Sequence, residues 1–231
     1  MANDDLQVQL TQPNNFDLIL KYYGGDIDAS KKLQKTLISI VINNPALAKC
    51  SAQSILQAAF DAMNFKLSLN PNLGYVYFLP FGDKAQFVIG YKGFIQLAIR
   101  SGNYRYLRAI TLFSGMLKDY NFVTGQFEIG ARTGDEVTGY LAYFKLKNGF
   151  EQSIYATKNQ MQIFAEKHSK AYQNDLKTGK STSPWSTDFN AMAEKTVLKQ
   201  LISKYGYMSD DLEQALTYNN FYDFDSSDSE K

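Results

Sequence analysis

Residues 69–102 read LNPNLGYVYFLPFGDKAQFVIGYKGFIQLAIRSG. The stretch opens in turn chemistry, LNPNLG, and its apolar period then changes twice. YVYFLP (75–80) and AQFVIG (85–90) are strand-like runs flanking FGDK, a short hairpin signal. From Tyr91 the residues Phe94, Ile95, Leu97, Ala98 and Ile99 return at helical spacing, and Gly102 stands where a helix C′ glycine would. A hairpin that runs directly into an amphipathic helix predicts an α+β fold.

The flanking sequence extends this pattern. ASKKLQKTLISIVIN (29–43) has helical spacing and stops at Asn44-Pro45. Ser51 is placed to N-cap SAQSILQAAFDAMNF (51–65), whose Ile55, Ala58, Ala59 and Met63 share one face. Residues 1–27 lack a sustained period and are broken by QPNN and GG, which predicts loose or partly helical structure. Downstream, YRYLRAITLFS (104–114) reads as a strand and NFVTGQFEIGARTG (121–134) as a second, projecting hairpin. VTGYLAYFKLKNGFEQSIYAT (137–157) reads as two strands joined around Asn148-Gly149, and TKNQMQIFAEKHS (157–169) as a helix on a Thr cap. KAYQNDLKTGKSTSP (170–184) reads as a mobile polar loop and WSTDFNAMAEKTVLKQLISKYG (185–206) as one long amphipathic helix. A short helix at DDLEQALTY and the acidic tail FYDFDSSDSEK close the chain. The expected division is an acidic N-terminal segment (1–28), a single α+β domain (29–206) with a central, mostly antiparallel sheet, and an acidic C-terminal helix and tail (207–231).

Composition narrows the class. Of 231 residues, 45% are apolar and 20% charged, an ordinary globular balance. No apolar run approaches a membrane span, and the acidic, polar start MANDDLQVQL is unlike a secretory signal. Cys50 is the only cysteine, so no intramolecular disulfide forms and the thiol suits a reducing cytosol. The expected location is the cytoplasm.

The net charge of +1 conceals a partition: residues 1–30 carry five acids against Lys21, and residues 207–231 carry seven against Lys231. Within residues 62–118, Lys66, Lys84, Lys92, Arg100, Arg105, Arg108 and Lys118 face a single acid, Asp83. A cationic body between acidic ends predicts a polyanionic partner.

On a helical wheel Lys92, Gln96 and Arg100 form a line about 6 Å per step, comparable with the phosphate repeat of an extended strand. A solvated helix face competes with that reading, and the missing carboxylates weigh against it. Arg105 and Arg108, three apart on the next strand, point to opposite faces unless the strand bulges. On the long helix, Phe189, Ala193, Val197 and Leu201 form a core stripe, with Lys195, Lys199 and Asp188 roughly opposite. A structural charge arrangement with Asp188 and phosphate binding are both open for these lysines. Trp185 reads as a packing anchor. Among the interleaved aromatics, Phe78 and Phe94 read as core, while Tyr91 and Tyr104 are candidates for contact with bases, where stacking is worth roughly 1–3 kcal/mol per base. Catalysis receives little support: His168 is the sole histidine, Cys50 reads as helix-boundary packing, and no metal-ligand, Walker A or nucleophile-elbow motif occurs.

Two segments carry a resemblance. LNPNLGYVYFLPFGDKAQFVIGYKGFIQLAIRSG and SPWSTDFNAMAEKTVLKQLI (183–202), with the Gly139-Tyr140 strand between them, resemble the signature segments of the RecT family of phage single-strand annealing proteins. The resemblance covers roughly residues 50–206. It implies annealing of complementary DNA strands and strand exchange in phage recombination without ATP, metal or other cofactor. It also implies rings or helical filaments of a homo-oligomer, single-stranded and annealed duplex DNA as partners, and a phage exonuclease or host single-strand-binding protein as further ones. Tyr91, Lys92, Arg100 and Lys195 fall where the family concentrates its DNA-contacting surface; charge placement adds Lys84, Arg105, Arg108 and Lys199. In this reading the protein is not an enzyme: a groove of Lys and Arg holds one strand while its bases are presented for pairing. Two rivals remain, a nuclease or nucleotidyl transferase using Asp83, Asp119, Asp135 and Glu136 around Mg²⁺, and a structural phage assembly protein.

Overall fold

A computed structural model of the chain describes residues 2–225, with side chains over residues 5–218. The last residues of the acidic tail, 226–231, lie outside the described residues. The fold is α+β, with every strand pair antiparallel. By compactness the chain divides into residues 1–96 and 97–231.

The first unit begins with helices α1 (Ala2–Thr11) and α2 (Pro13–Tyr22), so residues 1–27 are more regular than their weak period predicts. The QPNN interruption is the junction: Gln12 leaves helical geometry and Pro13 takes the first-turn position that proline favours. Helix α3 (Ile27–Asn43) is capped by Asp26, whose carboxylate accepts from the Ala29 N–H at 3.0 Å. It buries Leu33, Leu37, Ile40 and Val41. Helix α4 (Ala52–Asn64) starts on Ser51, which accepts from the Ser54 N–H at 3.2 Å, and buries Ile55, Ala58, Ala59 and Ala62. Strands β1 (Val76–Phe81) and β2 (Lys84–Ile89) form the predicted hairpin, in register from Val76↔Ile89 to Phe81↔Lys84. A lone hairpin is marginal in water. Here Phe78, Ala85, Phe87 and Ile89 are buried and β2 packs on α4. The Asn44 amide donates to the Phe78 carbonyl and the Ser54 hydroxyl accepts from the Ala85 N–H, both at 2.9 Å. Helix α5 (Tyr91–Arg100) follows, with Phe94, Leu97 and Ala98 buried, and the division between the units falls within it.

The second unit is built on a three-stranded sheet in the order β3 (Tyr104–Phe113), β6 (Val137–Leu146), β7 (Glu151–Thr157). Strands β4 (Leu117–Tyr120) and β5 (Phe127–Ile129) form a separate hairpin whose turn is residues 121–126. This hairpin does not project. The Tyr120 ring meets Tyr155 at 5.4 Å, Phe127 meets Tyr143 at 5.6 Å, and the Tyr120 hydroxyl donates to the Ser153 carbonyl at 3.1 Å. Those ring pairs lay it on the sheet, and its tip residues Phe122 and Val123 are 78% and 90% exposed.

Helix α6 (Lys158–His168) begins with a capping box between Thr157 and Gln160. Residues 170–184 are not a mobile loop. Helix α7 (Lys170–Thr178) is capped by Ser169 and ends at left-handed Gly179. From it the buried Asp175 carboxylate accepts from the Thr182 N–H (2.9 Å) and hydroxyl (2.7 Å), the Ser183 N–H (2.7 Å) and the Ser186 hydroxyl (2.7 Å). The Ser186 hydroxyl, then the Ser183 amide and the Thr182 hydroxyl, hold its carboxyl well below the usual range. This clamp seats the short helix α8 (Pro184–Thr187), whose Trp185 is buried 5.2 Å from the Phe189 ring. The long helix expected over 185–206 is interrupted at Asp188, which leaves helical geometry and caps α9 (Phe189–Tyr205) by accepting from the Ala191 N–H at 3.3 Å. Ala193, Val197 and Leu201 of the predicted stripe are buried. Helix α10 (Asp210–Asp225) is longer than its sequence pattern predicts and buries Leu212, Ala215 and Leu216.

Candidate nucleic-acid interface

The faces of the three-stranded sheet follow from register. Helix α9 packs on one face: the Thr111 hydroxyl donates to Glu194 and the Tyr140 hydroxyl to Asn190, both at 2.7 Å. Burial, with Glu194 nearby, pushes the Tyr140 phenol up to about 12. Thr111 pairs with Tyr140, Ala109 with Ala142 and Leu107 with Phe144, so alternation puts all six on the α9 side. Arg108 pairs with Tyr143, on the side covered in part by the β4–β5 hairpin.

Near its start β3 carries a bulge. Tyr104 lies opposite Leu146 and Tyr106 opposite Lys145, which leaves Arg105 as the extra residue. Without it, Arg105 and Arg108 would alternate to opposite faces. With it, Arg105 joins Tyr106 and Arg108 on the side away from α9. The Arg105 guanidinium stands 5.6 Å from the Tyr106 ring centroid, and Tyr106 is 55% exposed. Among the described residues, neither Arg105 nor Arg108 has a carboxylate within salt-bridge distance. The neighbouring cations differ: Lys118 pairs with Glu128 at 2.7 Å, Lys145 with Glu151 at 3.0 Å, and Arg132 with Asp135 while lying over the Phe113 ring.

The other expected residues of this unit are placed differently. Tyr104 turns inward across the bulge. Its ring meets Phe144 edge-on at 5.7 Å, its hydroxyl donates to the Tyr207 carbonyl at 3.0 Å, and burial pushes its phenol up to about 12. It packs the fold, and Tyr106 is the exposed aromatic that charge counting passed over. Lys195 and Lys199 are half-buried on α9, so the sheet stands between them and the Arg105–Arg108 face. Asp188, expected beside them as a charge partner, is the α9 cap. Arg100 contacts Asp211 of α10, guanidinium to carboxylate at 3.3 Å.

In the first unit Lys92 is exposed on the first turn of α5, and Tyr91 beside it is half-buried. Lys84 stands at the hairpin turn opposite Phe81, about 17 Å along the strand from Ile89, so the hairpin does not bring it to Lys92. The Cys50 thiol is buried, and burial pushes it up. His168 is exposed, and its ring lies tilted against that of Phe164 with centroids 4.5 Å apart. Among the described residues no three His, Cys, Asp or Glu side chains gather as metal ligands, and no helix is long and apolar enough to cross a membrane.

The family model described as RecT family matches residues 31–231. The chain belongs to the RecT family. Among curated relatives, it is 40% identical over 183 residues to the Bacillus subtilis uncharacterized protein YqaK, covering 78% of this chain and 61% of that protein. It is 32% identical over 186 residues to Protein RecT of Escherichia coli, covering 75% of this chain and 65% of that protein. The chain thus spans somewhat less than two thirds of the length of each relative. The RecT family match includes both signature segments: the hairpin with α5, and α8 with α9.

Proposed function

We propose that this RecT family protein binds single-stranded DNA and anneals it to a complementary strand in phage recombination, without ATP and without catalysis. The observation that carries the reading is the family match over residues 31–231, and Arg105 and Arg108, without an ion-pair partner among the described residues and flanking exposed Tyr106, give it a physical basis. Guanidinium groups displace counterions from phosphates and an exposed ring accepts any base, so binding is salt-dependent and indifferent to sequence. Tyr91 and Lys92 at the start of α5 are further candidates for DNA contact, as are Lys84, Arg100, Lys195 and Lys199. Tyr106 takes the stacking role first assigned to Tyr104.

Residues 29–206 form the annealing core, and the acidic ends, 1–28 and 207–231, modulate it. One subunit spans few nucleotides, so testing register along a strand requires a homo-oligomer, as a ring or a filament. The setting is the cytoplasm of a bacterial host, with a phage exonuclease and host single-strand-binding protein as further partners.

Two complementary oligonucleotides added in succession, without nucleotide or metal, test the reading. Wild type accelerates duplex formation, and the K92E/R105E/R108E variant does not. No acceleration by wild type overturns the proposal, and degradation of the oligonucleotide on adding Mg²⁺ supports the nuclease reading in its place.

A further inference from the structure

The two outer strands of the three-stranded sheet end their hydrogen bonding differently. The β6–β7 turn fixes which residues face outward. The Leu146 N–H donates to the Phe150 carbonyl, so even-numbered residues of β6 bond to β7 and odd-numbered ones to β3. The Lys147 N–H, donated to the Asn103 carbonyl, follows the same rule. Tyr106, Arg108, Ile110 and Leu112 therefore bond to β6, while Leu107, Ala109 and Thr111 aim their N–H and C=O groups away from the sheet.

On β7 the outward groups are largely closed off. The Ser153 N–H donates to the Gln152 side chain at 2.9 Å, and its carbonyl accepts from the Tyr120 hydroxyl at 3.1 Å. The Thr157 N–H donates to the Gln160 side chain at 2.9 Å. On β3 the outward backbone groups of Leu107, Ala109 and Thr111 have no partner among the described residues, and all three residues remain partly accessible. An open edge of this kind is a template for another strand.

The flanking side chains select what that strand carries. Away from α9 the edge presents Arg105 and Arg108, with no carboxylate in salt-bridge range among the described residues. Toward α9 stand Leu107, Ala109 and Thr111, with the Glu194 carboxylate 2.7 Å from the Thr111 hydroxyl. An incoming strand thus meets cations on one face and a mostly apolar surface beside an acid on the other. Alternating acidic and apolar side chains suit both faces, and a slip of one residue sends the acids toward Glu194. The β3 of a second copy is the wrong occupant, because it gathers the arginines of both copies on one face.

We infer that the β3 edge docks an extended segment of a partner protein, with acidic and apolar residues in alternation, as a fourth strand of the sheet. Main-chain hydrogen bonds supply the affinity and the alternation supplies the specificity. The docking stands apart from the annealing reading, but the two share Arg105 and Arg108. Acids that occupy those guanidinium groups shut DNA out of this face, so partner and DNA exclude each other.

The test uses the whole chain and a fluorescent peptide of alternating glutamate and valine, first with DNA absent. Wild type binds it about tenfold more tightly than a peptide of the same composition with the two residue types in separate blocks. N-methylation of one alternate set of peptide amides abolishes binding and of the other set is tolerated, since only one edge of the added strand faces β3. Ala109→Pro removes an outward N–H, a change that an edge strand accepts. That variant loses the peptide and keeps its oligonucleotide affinity, with thermal melting to show that it is folded. No binding by wild type, equal binding of the two peptides, or equal effects of the two methylated sets overturns the docking site and leaves the annealing reading intact. With oligonucleotide bound, the peptide displaces it; a ternary complex overturns the exclusion. A wild type that binds peptide but no oligonucleotide overturns the annealing reading and leaves the docking site standing.

Discussion

The Asp211 carboxylate on α10 lies 3.3 Å from the Arg100 guanidinium at the end of α5, 111 residues earlier in the chain. With side chains 33% and 55% exposed, the pair is a surface contact worth about 0–1 kcal/mol. A phosphate can therefore displace it. Asp211→Asn is expected to raise single-strand affinity up to about fivefold in dilute salt, with the gain vanishing as salt screens the carboxylate. Equilibrium binding across a salt series, with melting temperature as control, checks both parts.

Arg105 and Arg108 share a face only through the bulge, and among the described residues neither has a carboxylate within salt-bridge distance. Replacing both with alanine should lower the slope of log affinity against log salt by about 1.4, since each phosphate contact on a single strand contributes about 0.7. Tyr106→Ala should weaken binding with no change in that slope. An unaltered slope in the arginine variant would remove the β3 face from the interface.

Asp175 titrates in a direction that gives a signed expectation. Its folded pKa is depressed by the hydrogen bonds of Ser186, Ser183 and Thr182, so its stabilisation is fully present above the unfolded value of about 3.9. It is lost as pH falls from there through the lower folded value. Asp175→Asn should melt below wild type at neutral pH, with the gap constant down to about pH 4 and narrowing beneath it. Calorimetry across that range is the measurement.

Gly93 lies within the first turns of α5, where an added Cβ would stand 2.4 Å from the Tyr75 carbonyl and 2.7 Å from the Ile89 side chain. Gly93→Ala normally favours a helix, by about 1 kcal/mol. Here overpacking outweighs that gain, and a net loss of about 1–2 kcal/mol is expected in denaturant unfolding.

Local signals carried much of the fold. The hairpin and helix of residues 75–100, the Ser51 and Thr157 caps and the Asn148-Gly149 turn are all formed by neighbours in sequence, and each is where its residues predict. The misplaced elements depend on distant partners. Helix α7 has a polar sequence, and its role depends on the Asp175 carboxylate gripping residues seven to eleven positions away. The β4–β5 hairpin lies down because Tyr120 and Phe127 find rings on β6 and β7, which no local pattern encodes. For the candidate site, charge counting found Arg105 and Arg108 but not the face they share, because that depends on register against Leu146 and Lys145. Tyr104 and Tyr106 are equivalent in composition, and only the bulge between them decides which is packed and which is exposed.

That bulge makes the strand's phase a heritable property separate from its letters. Removing Arg105 would close the bulge into even alternation, with Tyr104 still opposite Leu146 and Tyr106 still opposite Lys145, and would take one guanidinium from the outer face. The pairing on either side does not need the inserted position, so a deletion there should spare the sheet and cost only the cation it carries.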